Sequence, residues 1–263
     1  MRRAILALAA ASVLTGAAAP ARAQGAPPPS APASAPASAS VSGNLVLYTS
    51  QLEADAAATV EAFRQRHPGV TVEWLRGGTG QILPRLRAEI AAGGPRADLL
   101  LLADALTFEA LGAEGRLRAS PEVDTGAVPN DRIDPRRRYF GTKLITTGIV
   151  HSTRAPFVPE RWADLLRSEA RNLSAMPSPA VSGAAVIHLQ ALEQAPGLGW
   201  NFVEQLVRAG VQPRGGNGQV IQAVATGERA FGIAVDYLSI REQRRGAPVR
   251  FVFPADGVSA ITE

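Results

Sequence analysis

The sequence contains no cysteine, a single lysine and three histidines, and each shortage excludes a class of protein. Without cysteine, the chain can hold no disulfide framework, no thiol-linked lipid and no cysteine nucleophile. His67, His151 and His188 have no carboxylate partner at a motif spacing, so we interpret them as structural. The G-x-S-x-G, H-E-x-x-H and Walker motifs are missing as well. We therefore expect no catalytic residue, no metal site and no cofactor, and a binding protein rather than an enzyme.

Aromatic residues are also scarce, at 5% of the chain, and the basic residues form no stripe interleaved with them. Such a stripe is typical of nucleic-acid surfaces, so we expect no nucleic-acid partner. The one run of like charge, from Arg136 to Arg138, is interpreted as a solvated rim.

The longest apolar run lies near the first residue and is short for a membrane span. Residues 4–19 follow Arg2 and Arg3 and precede Ala-Arg-Ala at 21–23, the A-x-A pattern of a signal-peptide cleavage site. We predict a signal peptide at residues 1–23 and a periplasmic location, with an N-terminal membrane anchor as the alternative. Cleavage would remove three arginines and leave a formal net charge near +1, against +4 for the whole chain.

The rest of the chain divides into a linker and two folded units. Residues 24–43 are rich in Ala, Pro and Ser and cannot bury apolar surface, so we predict a disordered linker. Beyond the linker, apolar runs of strand length alternate with segments of helical apolar period. This alternation predicts an α/β fold, with a first lobe at residues 44–145 and a second at 146–247, each built on a doubly wound sheet.

Small and polar residues occur at five points where a predicted strand or turn leads into a helix. Ligands of open α/β sheets bind beyond the carboxyl ends of the strands, and a helix N-terminus favours negative charge. Each junction alone also fits a helix cap or a turn, but five in two linked units indicate one anion-binding cleft. The candidate ligand-binding residues are Ser50, Gln51, Thr79, Ser182, Gly183, Ala184, Asn217, Asp236 and Tyr237.

Asp236 is the most informative of these residues because a carboxylate at the end of an apolar strand needs a partner or water. Two interpretations remain open. Asp236 receives the ammonium group of a ligand, or it caps the helix that begins at Tyr237. Tyr237 in turn either closes over the ligand or lies at the rim.

Segments spread over residues 44–263 resemble the periplasmic solute-binding proteins of ABC importers, in particular the group that binds ferric iron, 2-aminoethylphosphonate and related anions. The resemblance implies a two-lobe type II fold whose lobes, joined by hinge strands, close on the ligand. It also implies an inner-membrane ABC permease as partner, and we expect a monomer. The segments are LVLYTSQ at 45–51, GGTGQILPRLRAE at 77–89, GPRADLLLLAD at 94–104, RWADLL at 161–166, PSPAVSGAA at 177–185 and the stretch that begins with GNGQVIQAVATGERAFGIAVDY at 216 and continues to 263.

Within this resemblance, residues 139–151 correspond to the outgoing crossing between the lobes, and residues 248–263 to a strand that returns toward the first lobe. The relatives continue past the position of Glu263 with helices that pack across the hinge. We therefore expect the chain to be a shortened form or a fragment, and the surface that those helices would cover to be exposed and apolar.

The resemblance also implies roles for single residues. Ser182, Ala184 and Asn217 match the positions that coordinate an anion. Ferric members hold Fe³⁺ through two adjacent tyrosines, a histidine and a glutamate. Here the tyrosine pair is replaced by Asp236-Tyr237, and the histidine and glutamate positions are Leu52 and Ala103.

A hard trivalent cation needs several anionic oxygen ligands, and this set offers few. We therefore expect the ligand to be a small anion or zwitterion, such as an organophosphonate or a phosphate ester. A ferric-iron-binding protein and a ligand-sensing partner of a membrane sensor kinase are the alternatives.

Overall fold

The computed structural model describes residues 41–263. The predicted signal peptide, and the predicted linker up to residue 40, lie outside the described residues. Within residues 41–263, every helix is too short or too polar to cross a lipid bilayer.

The described chain alternates strands and helices, which confirms the predicted α/β class. The strands are β1 (Gly43–Thr49), β2 (Val70–Arg76), β3 (Leu99–Leu101), β4 (Leu144–Ser152), β5 (Ser174–Pro177), β6 (Gln212–Arg214), β7 (Phe231–Val235), β8 (Val249–Val252) and β9 (Ser259–Thr262). The helices are α1 (Glu53–Arg66), α2 (Thr79–Ala91), α3 (Ala105–Ala113), α4 (Gly183–Gln194), α5 (Gly199–Arg208), α6 (Asn217–Ala225) and α7 (Asp236–Arg244).

The first sheet has the order β2-β1-β3, and its three strands are parallel. Alternate side chains of a strand point to opposite faces, so β1 contributes to two cores. Leu47 packs with Val60 of α1 on one face, while Tyr48 packs with Ile82 of α2 on the other. Both faces are therefore apolar, as expected for a parallel sheet covered by helices.

The second sheet is mixed and has the order β6-β5-β7-β4-β8. Strands β5, β6 and β7 are parallel, whereas β4 is antiparallel to β7, β8 and β9. The first sheet uses residues from 43 to 101 and the second uses residues from 144 to 262. The division into lobes at 145 and 146 stays a prediction.

Residues 248–263 contain two strands that pair with β4, and their predicted return toward the first lobe stays a prediction. Strand β8 pairs with residues 149–152 of β4, and β9 pairs with residues 144–147, so both strands belong to the second sheet. The reason is the length of β4, whose nine residues offer one edge to two short partners in succession. Glu263, beyond β9, contacts the first unit, where Gln51 Nε2 donates to Glu263 Oε2 over 3.3 Å.

The segment RWADLL at 161–166 and the residues after it form two 3₁₀ turns, Trp162–Leu166 and Ser168–Ala170. Asp164 Oδ2 accepts the backbone N–H of Glu160 at 2.8 Å, which tightens the first turn. Trp162 Nε1 donates to the carbonyl oxygen of Gly257 at 2.8 Å, and its ring lies 4.6 Å from that of His188. The short turns thus seat a large indole in the core of the second sheet.

His188 generates a prediction about stability at low pH. Its ring on α4 is buried, with Nδ1 3.1 Å from Ser259 Oγ, and burial lowers the pKa of the imidazole from 6.5 to about 4. An unfolded histidine therefore binds a proton at pH values where the folded one does not, so stability falls as the pH decreases from 6.5 to 4. The shift corresponds to about 3 kcal/mol of the free energy of unfolding.

Urea unfolding between pH 7.5 and 4.5, compared with His188→Gln, measures this effect. We expect the free energy of unfolding of the variant to fall less steeply as the pH decreases. The titration of carboxylates affects both proteins, whereas the protonation of His188 affects only the wild type. Parallel pH profiles for the two proteins would contradict the assignment.

Candidate functional site

A cleft of about 70 Å³ lies where elements of the first and second sheets meet. In five of the seven described helices, the residue that caps the N-terminus lines this cleft. A helix N-terminus carries about half an elementary positive charge and presents unpaired N–H groups. The cleft is therefore a site of positive potential built from backbone amides. The five capping residues are Leu52 of α1, Gly78 of α2, Ser182 of α4, Gly216 of α6 and Val235 of α7.

Ser182 and Asn217 stand at the centre of this arrangement. Asn217 Oδ1 accepts the N–H of Val235 at 3.1 Å, which turns the amide so that Nδ2 lies 3.4 Å from Ser182 Oγ. Ser182 Oγ also accepts the N–H of Ala185 at 3.3 Å, as an N-cap does. The hydrogen bond between Asn217 and Ser182 joins the N-terminus of α6 to the N-terminus of α4.

The first unit supplies the opposite wall. Ser50 follows β1 and is anchored to the end of β3, since its Oγ accepts the N–H of Ala103 at 3.1 Å. Thr79, the first residue of α2, is buried at the cleft. A Cβ added to Gly183 would lie 3.0 Å from Thr79 Oγ1 and 2.8 Å from the carbonyl oxygen of Ala103, so the two walls touch at this point.

Seven of the nine predicted site residues line the cleft, and the assignment of roles to them stays a prediction. The seven are Ser50, Thr79, Ser182, Gly183, Ala184, Asn217 and Tyr237.

Asp236 is not among the residues that line the cleft. It is the first residue of α7, and its Oδ1 accepts the N–H of Tyr237 at 2.7 Å. Its Oδ2 accepts from Thr146 Oγ1 on β4, also at 2.7 Å. Each oxygen therefore accepts a hydrogen bond within the second unit, and a contact of Asp236 with a ligand ammonium stays a prediction. The contacts agree better with the helix-start interpretation, although the N-cap itself is Val235.

Gln51 also lies outside the lining. Its Oε1 accepts from Thr59 Oγ1 at 3.2 Å, and its Nε2 donates to Glu263 Oε2 at 3.3 Å. The side chain thus links α1 to Glu263, and its contact with a ligand stays a prediction.

Tyr237 lies near two cations. Lys143 Nζ is 4.1 Å from the centre of its ring, and Arg241 Cζ is 6.0 Å from it. Burial raises the pKa of the Tyr237 phenol, and the nearby carboxylates of Glu263 and Asp55 raise it further. The hydroxyl therefore stays protonated and can donate a hydrogen bond into the cleft.

Arg76 and Glu263 are the two charged residues of the lining, and sequence reasoning missed both. Arg76 ends β2, and its Nε donates to the carbonyl oxygen of Gln51 at 2.9 Å, which holds the guanidinium at the cleft. Its place just before the Gly77-Gly78 turn was a usable signal. Glu263 had none, because the pairing of β9 with a strand more than a hundred residues earlier brings it there.

Among residues 41–263, no three side chains of the types His, Cys, Asp and Glu come close enough together to hold a metal ion.

The family model described as bacterial extracellular solute-binding protein matches residues 45–262. The chain belongs to this family. It is a family of binding proteins rather than enzymes. No curated protein matches the chain significantly.

Solved structures show the same fold as this solute-binding protein. The substrate-binding protein of an ABC transporter from Agrobacterium tumefaciens is 19% identical with a TM-score of 0.76, over 84% of this chain and 68% of that one. Periplasmic AfuA from Actinobacillus pleuropneumoniae, with fructose-6-phosphate bound, is 21% identical with a TM-score of 0.69, over 83% and 72%. Iron-bound HitA from Pseudomonas aeruginosa is 20% identical with a TM-score of 0.67, over 83% and 74%. At these identities the similarity concerns the fold.

The two walls also meet at α2, which generates a second prediction. Gly80 N donates to the carbonyl oxygen of Val181 at 3.2 Å, and a Cβ on Gly80 would overlap the carbonyl oxygen of Ala180. Gly80→Ala should push the start of α2 away from this loop and widen the cleft. Gly218→Ala is the control, because its added Cβ would lie 3.8 Å from Leu52 Cδ2, which is an ordinary van der Waals distance.

Because the chain has no cysteine, spin labels can be placed at Ala58→Cys on α1 and Gln222→Cys on α6. We expect the distance distribution between the labels to move to longer values in Gly80→Ala and to stay unchanged in Gly218→Ala. Identical distributions in the two variants would contradict the contact.

Proposed function

We propose that the protein is the periplasmic substrate-binding component of an ABC importer and that it captures a small oxyanion, such as phosphate, a phosphate ester or an organophosphonate. The observation that carries the proposal is the convergence of five helix N-termini on one cleft, with the Ser182–Asn217 pair at its centre. An inner-membrane ABC permease receives the solute, and the binding protein acts as a monomer.

The groups around the cleft form a set rich in hydrogen-bond donors. The first N–H groups of α4, the Ser182 hydroxyl, the Asn217 amide and the Arg76 guanidinium can all donate to one ligand. Oxygens of a phosphate or phosphonate group are strong acceptors, and charge-assisted bonds of this kind are about twice as strong as neutral ones. Helix N-termini are common sites for such anions.

The size of the cleft limits the range of possible ligands further. Pockets for organic ligands usually measure about 300–1,000 Å³. The cleft here measures about 70 Å³, so in this arrangement it admits an inorganic oxyanion or the head group of a short-chain one. AfuA, whose structure has the same fold, was solved with fructose-6-phosphate, which supports a ligand with a phosphate head group.

Two alternatives have some support. Iron-bound HitA shares the fold, but the lining of this cleft offers one phenol, Tyr237, and one carboxylate, Glu263, while Leu52 and Ala103 add no ligand atoms. This donor set is poor for Fe³⁺. A structure described as a two-component system protein that mediates signal transduction also shares the fold, at 17% identity and a TM-score of 0.68, which keeps a sensory role as the second alternative.

Calorimetric titration with phosphate, 2-aminoethylphosphonate, fructose 6-phosphate and ferric citrate tests the proposal. We expect at least one of the three phosphorus-containing ligands to bind. Ser182→Ala and Asn217→Ala should each weaken that binding at least about tenfold, since a hydrogen bond to a charged group contributes about 1.5–3 kcal/mol.

Ser168→Ala is the matched control, because Ser168 lies in a 3₁₀ turn outside the cleft lining and contacts Glu169. It should bind like the wild type. Tight binding of iron with a red colour would contradict the proposal, and so would unchanged oxyanion affinity in both cleft variants.

A further inference from the structure

We infer that Glu263 makes the cleft selective for oxyanions that carry a hydrogen-bond donor of their own, such as the P–OH of hydrogen phosphate or of a phosphonate, over fully deprotonated ones such as sulfate. This inference rests on the proposed function and specifies its substrate class. Its starting point is that a carboxylate lines a cleft otherwise built to attract negative charge.

The position of Glu263 is fixed by its backbone. Its N–H donates to the carbonyl oxygen of Lys143 at 3.0 Å, and its own carbonyl oxygen accepts the N–H of Thr142 at 2.6 Å. Thr142 Oγ1 donates to the same oxygen at 2.7 Å. These bonds extend the pairing of β9 with β4 by one step and set the side chain against the cleft.

The two carboxylate oxygens of Glu263 differ in their contacts. Oε2 is 2.5 Å from Lys143 Nζ and 3.3 Å from Gln51 Nε2, so it is occupied. No donor from the part of the chain that the structure describes bonds to Oε1. The Glu263 side chain as a whole is only 2% exposed. Because Glu263 lines the cleft, a ligand there can supply a hydrogen bond to Oε1.

Lys143 explains how a carboxylate can remain in an anion site. Its ammonium neutralises Glu263 and also stands 4.1 Å from the ring centre of Tyr237. With this pair balanced, the guanidinium of Arg76 and the helix N-termini leave the cleft positive overall. The carboxylate therefore does not prevent anion binding, but it favours an anion that places a hydrogen-bond donor beside Oε1 over one that places an acceptor there.

A ligand with a donor turns this position into a charge-assisted hydrogen bond. A ligand without one places a second acceptor against Oε1, which leaves both groups without a partner and adds repulsion. Near neutral pH, phosphate retains a proton on oxygen and sulfate does not, although the two anions have nearly the same shape. Methylphosphonate likewise retains a proton on oxygen under these conditions, and methanesulfonate does not.

The experiment compares dissociation constants for phosphate and sulfate, and for methylphosphonate and methanesulfonate, at pH 6.5 and constant ionic strength. We expect the wild type to prefer the phosphorus compound more than tenfold in each pair. In Glu263→Gln, which replaces the charge by an amide that can also donate, the preference should fall to within about threefold, mainly through tighter binding of sulfate.

Glu204→Gln is the matched control, because Glu204 pairs with Arg208 on the surface of α5. It should keep the wild-type preference. A purely structural role for Glu263 would weaken both anions together and leave their ratio unchanged, so the ratio is the decisive readout.

Equal binding of phosphate and sulfate by the wild type would overturn this inference while leaving the proposed function intact. The same holds if Glu263→Gln keeps the full preference. If none of the four anions binds, the proposed function fails together with the inference. The wild-type comparison decides the selectivity even where Glu263→Gln does not fold.

Discussion

The partial positive charge of helix N-termini is the interaction on which the site depends. Parallel strands of each sheet end at one edge, and the helices that follow them begin there with their unpaired N–H groups exposed. Five such helix starts line a single cleft. Since backbone amides supply most of this potential, the chain can be nearly balanced in charge and still attract an anion to one place.

A second constraint is the close approach of backbone to backbone across the cleft. Gly78, Gly80 and Gly183 face carbonyl oxygens of the opposite wall at distances that leave no room for a Cβ. The width of the cleft is consequently set by main-chain contact, whereas its charge is adjusted by the few side chains at its edge. These contacts make the cleft small. Its dimensions therefore depend on glycines that can be identified from the sequence.

Local sequence patterns predicted most of the fold. The differences between the expectations and the structure come from strands that pair over a large separation in the sequence. The alternation of apolar strands and helices forms as expected, and seven of the nine candidate residues line one cleft. Asp236, one of the candidate residues, does not line the cleft, and its carboxylate accepts a hydrogen bond from Thr146 on β4. No local pattern indicates that Glu263 lines the cleft. Both outcomes depend on strands that pair with β4 from far along the chain, which no local pattern reveals.

The most direct test of the account is a crystal structure with arsenate in place of phosphate, because anomalous scattering locates the arsenic atom without reference to the protein. The account predicts one arsenic peak within hydrogen-bonding reach of Ser182 Oγ, Asn217 Nδ2 and the first N–H groups of α4. A peak bound only at surface arginines, or a cleft that stays empty under saturating arsenate, would contradict it.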